Sequence, residues 1–225
     1  PGRLRIAFTT RAPRGSAVHP DCARAVEDAA HLCADLGHSV DEGAPDVDAA
    51  QYDRAFTVMF AAGLAAAIDG IGLQAGVAPA AAMFEPATWA MYRVGKAATA
   101  SDYLLAVAAV QQLTRQMAVF LSRRCDLWLT PTLAAPPPPL GTFDFGPEQF
   151  PLEAGERLLT YLAFTPICNS TGLPAASVPL HWNDADLPVG VQFVAPYGGE
   201  DVLFRLAAQL EAARPWAQRR PPGSA

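Results

Sequence analysis

The run Thr165-Pro166-Ile167-Cys168-Asn169-Ser170-Thr171-Gly172-Leu173-Pro174-Ala175-Ala176-Ser177-Val178-Pro179 constrains the fold more than any other part of this chain. Its first half, Cys168 to Gly172, reads as a turn. Asn, Ser and Thr side chains compete with regular backbone hydrogen bonding, and glycine admits a positive φ. Its second half, Leu173 to Leu180, is small and apolar. It reads as a buried strand with Pro174 and Pro179 near its ends, where a missing N–H is tolerated. A tight polar turn feeding a buried strand places short polar groups in a crevice. The same pattern also serves as an ordinary loop before a core strand.

The rest of the chain supplies layers for such a strand. Leu4 to Thr9 reads as a strand. Asp21 is expected to cap a helix running to Leu36, with Ala25, Val26, Ala29, Ala30, Leu32, Cys33 and Leu36 as its buried stripe and Gly37 as its stop. A second strand begins at His38, so this opening is a βαβ unit with parallel strands. Asp48 to Ile68 reads as an Ala-rich helix, followed by a Gly-containing break over residues 70–79. Glu85 and Pro86 open another helix. Ser101 is expected to cap a long helix to Arg124 whose apolar face includes Leu104, Leu105, Ala108, Leu113, Met117, Phe120 and Leu121. Lys96 reads as a solvated charge. Asp126 to Thr130 is a short buried strand. Residues 134–151 are a Pro-rich connecting loop with Phe143, Phe145 and Phe150 as apolar contacts. A short helix, Glu153 to Phe164, precedes the organising run. Two strands, Ala175–Leu180 and Val189–Val194, are joined by Asn183-Asp184-Ala185-Asp186 turn chemistry and are expected to pair antiparallel. The last helix carries Leu203, Phe204, Leu206, Ala207 and Leu210 inward and stops at Pro215, leaving residues 216–225 as a tail. The expected fold is α/β, a mixed β-sheet flanked by helices, in a single domain over residues 1–225.

A formal charge of −6 and a pI near 5.1 argue against a nucleic-acid or anionic-membrane partner. No secretory signal or membrane span is expected, because Gly residues and Asp69 interrupt the apolar stretch around residues 60–80. The four cysteines lack metal-ligand spacing. Cys22 and Cys33 share a helix face but are about 16 Å apart in rise, too far for a disulfide. Free thiols point to the cytoplasm. His19, His31 and His38 have no matching carboxylates and read as surface or capping residues.

Three elements resemble one family. The run Thr165–Pro179, the strand Leu187-Pro188-Val189-Gly190-Val191-Gln192, and Asp126-Leu127-Trp128-Leu129-Thr130-Pro131-Thr132 occur in the order of the C-terminal part of an amidase signature family hydrolase. Leu4 to Phe8 resembles the strand after that family's catalytic core. The resemblance implies part of the amidase signature fold, a small-molecule amide substrate, and no metal or organic cofactor. It implies chemistry by a Ser–cis-Ser–Lys triad, with backbone amides holding the oxyanion. The Gly/Ser-rich signature is missing, and Lys96, the only lysine, lies in no matching context. No catalytic residue is therefore assigned to this chain. It is expected to need an N-terminal catalytic segment or a second chain, and to supply sheet and pocket wall. Asn169, Thr171 and Gly172 match the family run and are the substrate-binding candidates, with Thr88 and Trp89 on a second wall beside Glu85 and Tyr92.

Cys168 as a nucleophile would need a nearby base, and Ser170 and Ser177 lie in no Gly-x-Ser-x-Gly elbow. The alternative functions are part of a glutamine amidotransferase subunit, or a non-catalytic amidase-like binding or structural module. A sheet missing its other half would expose an apolar edge and favour self-association into a homo-oligomer.

Overall fold

The computed structural model describes residues 1–144 and 152–221, and side chains except those of residues 152–154. Phe145, Phe150 and the end of the expected tail lie outside the described residues. The chain forms two compact units. The first comprises Pro1–Val47, Thr114–Pro138 and Thr160–Ala225, and the second Asp48–Leu113 and Pro139–Leu159.

The first unit is built on a mixed five-stranded sheet. Its strands are β1 (Arg5–Phe8), β2 (Ser39–Glu42), β3 (Leu127–Pro131), β4 (Ala175–Trp182) and β5 (Pro188–Val194), in the order β2-β1-β3-β5-β4. As expected, β1 and β2 are parallel across the helix α1 (Pro20–Asp35), and β4 and β5 form an antiparallel hairpin. The β1–β3 pairing is also parallel, and β3–β5 is antiparallel. Paired residues point to the same side of a sheet. One face therefore carries Ile6, Leu127, Leu129, Val191, Phe193 and Val178, which pack with α1 and with α7 (Glu200–Ala213) in a single apolar core. The other face carries Ala7, Trp128, Thr130, Gln192 and Ser177.

Two side chains fasten the start of this unit. Asp126 accepts from the Arg5 backbone N–H at 2.8 Å and from the Arg5 guanidinium at 2.8 and 3.2 Å. Burial raises the Asp126 carboxyl, but Arg5's hydrogen bonds and charge outweigh it and hold the group below the usual range. Buried His38 accepts the Leu4 N–H at Nδ1, 3.1 Å away, and its Nε2 lies 3.1 Å from Gln209 Oε1 on α7. A ring that accepts at Nδ1 donates from Nε2, so neutral His38 ties β1, β2 and α7 together.

Several expectations need correction here. The cap of α1 is His19, whose Nδ1 accepts the Asp21 N–H at 3.1 Å. Pro20 takes the first helical position, so the start moves ahead of Asp21. Asp21 instead bonds Arg24 and the Asn183 side chain. Phe204 on α7 is 77% exposed, while Leu203, Leu206 and Leu210 are buried. The segment over Cys168 is a helix, α6 (Thr165–Thr171), not a turn. Pro166 suits its first turn, and Gly172 closes it with φ 71°.

The second unit contains α2 (Ala49–Ala75), α3 (Pro86–Ala97) and the first part of α4 (Ala100–Arg123), with most of α5 (Leu152–Tyr161). Asp48 caps α2, its carboxylate accepting the Gln51 N–H at 2.9 Å. The helix runs through Gly70 and ends at Gly76, φ 66°. An interior glycine costs only about 1 kcal/mol, too little to break a long apolar helix. Among the described residues two helices, α2 and α4, are long and apolar enough to cross a membrane by length and composition alone, contrary to expectation. The cap of α4 is Thr99, not Ser101. The Thr99 hydroxyl accepts the Asp102 N–H while Asp102 accepts the Thr99 N–H, a reciprocal arrangement. Leu104 and Leu105 are 66% and 68% exposed, and Ala106 and Val110 pack on Ala55 instead.

Candidate functional site

The polar sheet face is the first candidate surface. Thr130 and Gln192 are buried across the β3–β5 pair, and Gln192 Nε2 donates to Thr130 Oγ1 at 3.2 Å. One step further along the strands, Thr132 Oγ1 and Ser177 Oγ lie 2.6 Å apart. Gly190 makes that contact possible. A Cβ on Gly190 would sit 2.6 Å from Ser177 Oγ and 3.0 Å from Thr132 Oγ1. Gly190→Ala is expected to separate the hydroxyls and destabilise the chain by about 1 kcal/mol, the scale of one lost hydrogen bond. Adding Ser177→Ala should recover most of that loss in urea unfolding, and an unchanged midpoint in the single variant would contradict the contact.

Asn169, Thr171 and Gly172 come together on α6 and its end. Asn169 is exposed. The Thr171 hydroxyl donates to the Ile167 carbonyl at 2.7 Å, and the Gly172 N–H donates to the Cys168 carbonyl at 3.0 Å. Their donors are thus engaged within the helix end, and the Asn169 amide is the group presented outward. Cys168 is buried, and burial pushes its thiol up to about 11. Cys22, Cys33 and Cys125 are likewise raised by burial, to about 11, 12 and 11. At neutral pH these are thiols, not thiolate nucleophiles. All four are free.

Thr88 and Trp89 belong to the second unit, on α3. Trp89 is sandwiched between Phe84, at a centroid distance of 5.9 Å, and Tyr92, at 4.7 Å. The Tyr92 hydroxyl donates to Asp69 at 2.8 Å, and Lys96 Nζ donates to the other Asp69 oxygen at 2.6 Å. Lys96 is therefore ion-paired rather than simply solvated. Its hydrogen bond, and then that of Tyr92, hold the Asp69 carboxyl below its ordinary value. Nothing local announces this trio, because Asp69 lies on a different helix from its partners. Thr130, Thr132, Ser177, Gly190 and Gln192 were more accessible to sequence reasoning. The period-2 alternation of β5 puts Gly190 and Gln192 on one face.

A mixed sheet with one apolar face under helices and one hydroxyl- and amide-bearing face defines an α/β chain. The chain matches the amidase family over residues 1–204, and it belongs to that family. It is 32% identical over 232 residues to the 6-aminohexanoate-cyclic-dimer hydrolase of Paenarthrobacter ureafaciens, covering 98% of this chain and 46% of that protein. The enzyme of the same name from Pseudomonas sp. (strain NK87) is 33% identical over 233 residues, with 98% and 46% covered. Among solved structures, 6-aminohexanoate cyclic dimer hydrolase complexed with substrate superposes with a TM-score of 0.90 at 30% identity, covering 99% of this chain and 47% of that one. The chain thus spans about half the length of the curated relatives it matches. A glutamyl-tRNA(Gln) amidotransferase chain from Thermotoga maritima shares the fold, with a TM-score of 0.64 at 20% identity.

Proposed function

We propose that this chain is the C-terminal part of an amidase that hydrolyses small carboxylic amides to an acid and ammonia or an amine. The observation that carries the reading is the near-complete alignment of the chain with cyclic-amide hydrolases of about twice the aligned length. In this reading the nucleophilic serine and its lysine partner lie in a Gly/Ser-rich segment outside these residues. The serine attacks the amide carbonyl, the amine leaves with a proton, and water releases the acid from the acyl-enzyme. This chain supplies sheet and pocket wall. Asn169 offers its amide to the substrate, and Thr171 and Gly172 fix the helix end that presents it. The four free thiols support a cytoplasmic setting.

The test compares this chain with the same chain joined to its upstream sequence, on a panel of linear and cyclic amides, reading ammonia or amine release. Turnover is expected only from the joined form and should vanish when its signature serine is replaced by alanine. Turnover by this chain alone, or none from the joined form, overturns the reading.

A further inference from the structure

The sheet also carries a groove outside the candidate site described above. It has a volume of about 430 Å³ and is lined by Ala7, Asp41, Glu42, Phe120, Arg123 and Arg124, among others. The β pairings place it. Asp41 on the edge strand β2 pairs with Ala7, and Ala7 pairs with Trp128, so all three point to one side. Phe120 meets Trp128 edge-on, at 6.1 Å and 81°, which sets the last turn of α4 over the same side. The groove therefore has Ala7 and Phe120 in its wall, with the acidic residues Asp41 and Glu42 on its strand side and Arg123 and Arg124 on its helix side.

Its charges are of both signs and are not paired with each other. Arg5 is committed to Asp126. Glu42 lies 3.6 Å from Arg11. Among the described residues, the side chains of Asp41, Arg123 and Arg124 have no hydrogen-bond or ion-pair partner. We propose that this groove binds a small zwitterion, with its carboxylate on Arg123 and Arg124, its ammonium facing Asp41, and its methylenes on Ala7 and Phe120. The guanidinium fork matches a carboxylate bidentately. The C-terminal end of α4 is itself negative and partly offsets the two arginines, so a lone anion gains little there. A lone cation meets the arginines unfavourably. A ligand with both charges satisfies both sides.

The experiment titrates the chain with 5-aminopentanoate, pentanoate and pentylamine at one ionic strength, followed by calorimetry and by amide NMR shifts. Saturable binding of 5-aminopentanoate in the millimolar range is expected, about fivefold or more tighter than either singly charged analogue, the scale of one exposed ion pair. Asp41→Asn, and Arg123→Gln with Arg124→Gln, should each weaken it by a similar factor. These side chains are exposed, so the thermal midpoint serves as the control for intact folding. Equal binding of pentanoate or pentylamine, unchanged binding in both variants, or no saturable binding overturns the proposal. None of these readouts requires amide hydrolysis, so failure here is separable from failure of the amidase reading.

Discussion

Gly95→Ala is expected to unfold or loosen the second unit, with a loss of at least about 2 kcal/mol, although alanine is the better helix former. In the helix interior, replacing glycine by alanine gains about 1 kcal/mol from propensity. Against that stands the crossing of α2 and α3. A Cβ on Gly95 would lie 2.0 Å from the Ala61 carbonyl oxygen, 2.5 Å from its carbonyl carbon and 2.9 Å from Ala65 Cβ. The first two atoms are backbone and cannot rotate away. The helices must separate, and the contacts between them, including buried Ala61 and Ala65, would open. Gly63→Ala, on α2, is the matched control. A Cβ there meets nothing within 4 Å, so it should stabilise by about 0.5–1 kcal/mol. Urea unfolding with hydrogen exchange of the α2 and α3 amides distinguishes the two. If both substitutions shift stability in the same direction, the close crossing is wrong.

Trp128→Ala should cost about 3–5 kcal/mol, the range for removing a large buried aromatic. Trp128 is fully buried in the middle strand of the sheet, between Ala7 and Val194, and its ring meets Phe120 edge-on. Its Nε1 has no hydrogen-bond partner among the described residues. That orphaned donor makes Trp128→Phe informative. The smaller ring leaves a cavity but removes an unsatisfied N–H, so the two effects oppose, and the net cost should stay below about 1.5 kcal/mol. A Trp128→Phe loss as large as that of Trp128→Ala would mean that the indole N–H does have a partner. Far-UV circular dichroism is the appropriate probe, because the substitution removes a fluorophore.

The parts of this fold that follow from period and punctuation were legible in the sequence. The opening βαβ unit needed only Gly37 and the stripe through Val26, Ala29 and Cys33. The β4–β5 hairpin needed only its turn, where Asn183 Oδ1 accepts the N–H groups of Ala185 and Leu187. What failed was decided by a competing local choice. Pro20 and Thr99 took helix starts away from Asp21 and Ser101, and α2 absorbed Gly70 because its apolar neighbours outweighed one glycine. The site was half legible. Asn169, Thr171 and Gly172 do share a helix end, but the helix itself was hidden behind turn-forming residue types. The meeting of Thr132 with Ser177, and of Asp69 with Lys96, depends on pairings between distant elements, which no local pattern encodes.

The sheet order also has a consequence in time. The hairpin partners β4 and β5 are close neighbours along the chain, whereas β1 must pair with β3 across a separation of 121 residues, as at Arg5 and Asp126. At a synthesis rate of about 5–20 residues per second, β1 leaves the ribosome roughly ten seconds before β3 exists. Throughout that interval the β3 side of β1 lacks Leu127, the partner of Ile6. One side of an apolar strand therefore stays open during translation, which makes the ribosome-bound chain, rather than the finished protein, the stage at which chaperone capture matters most.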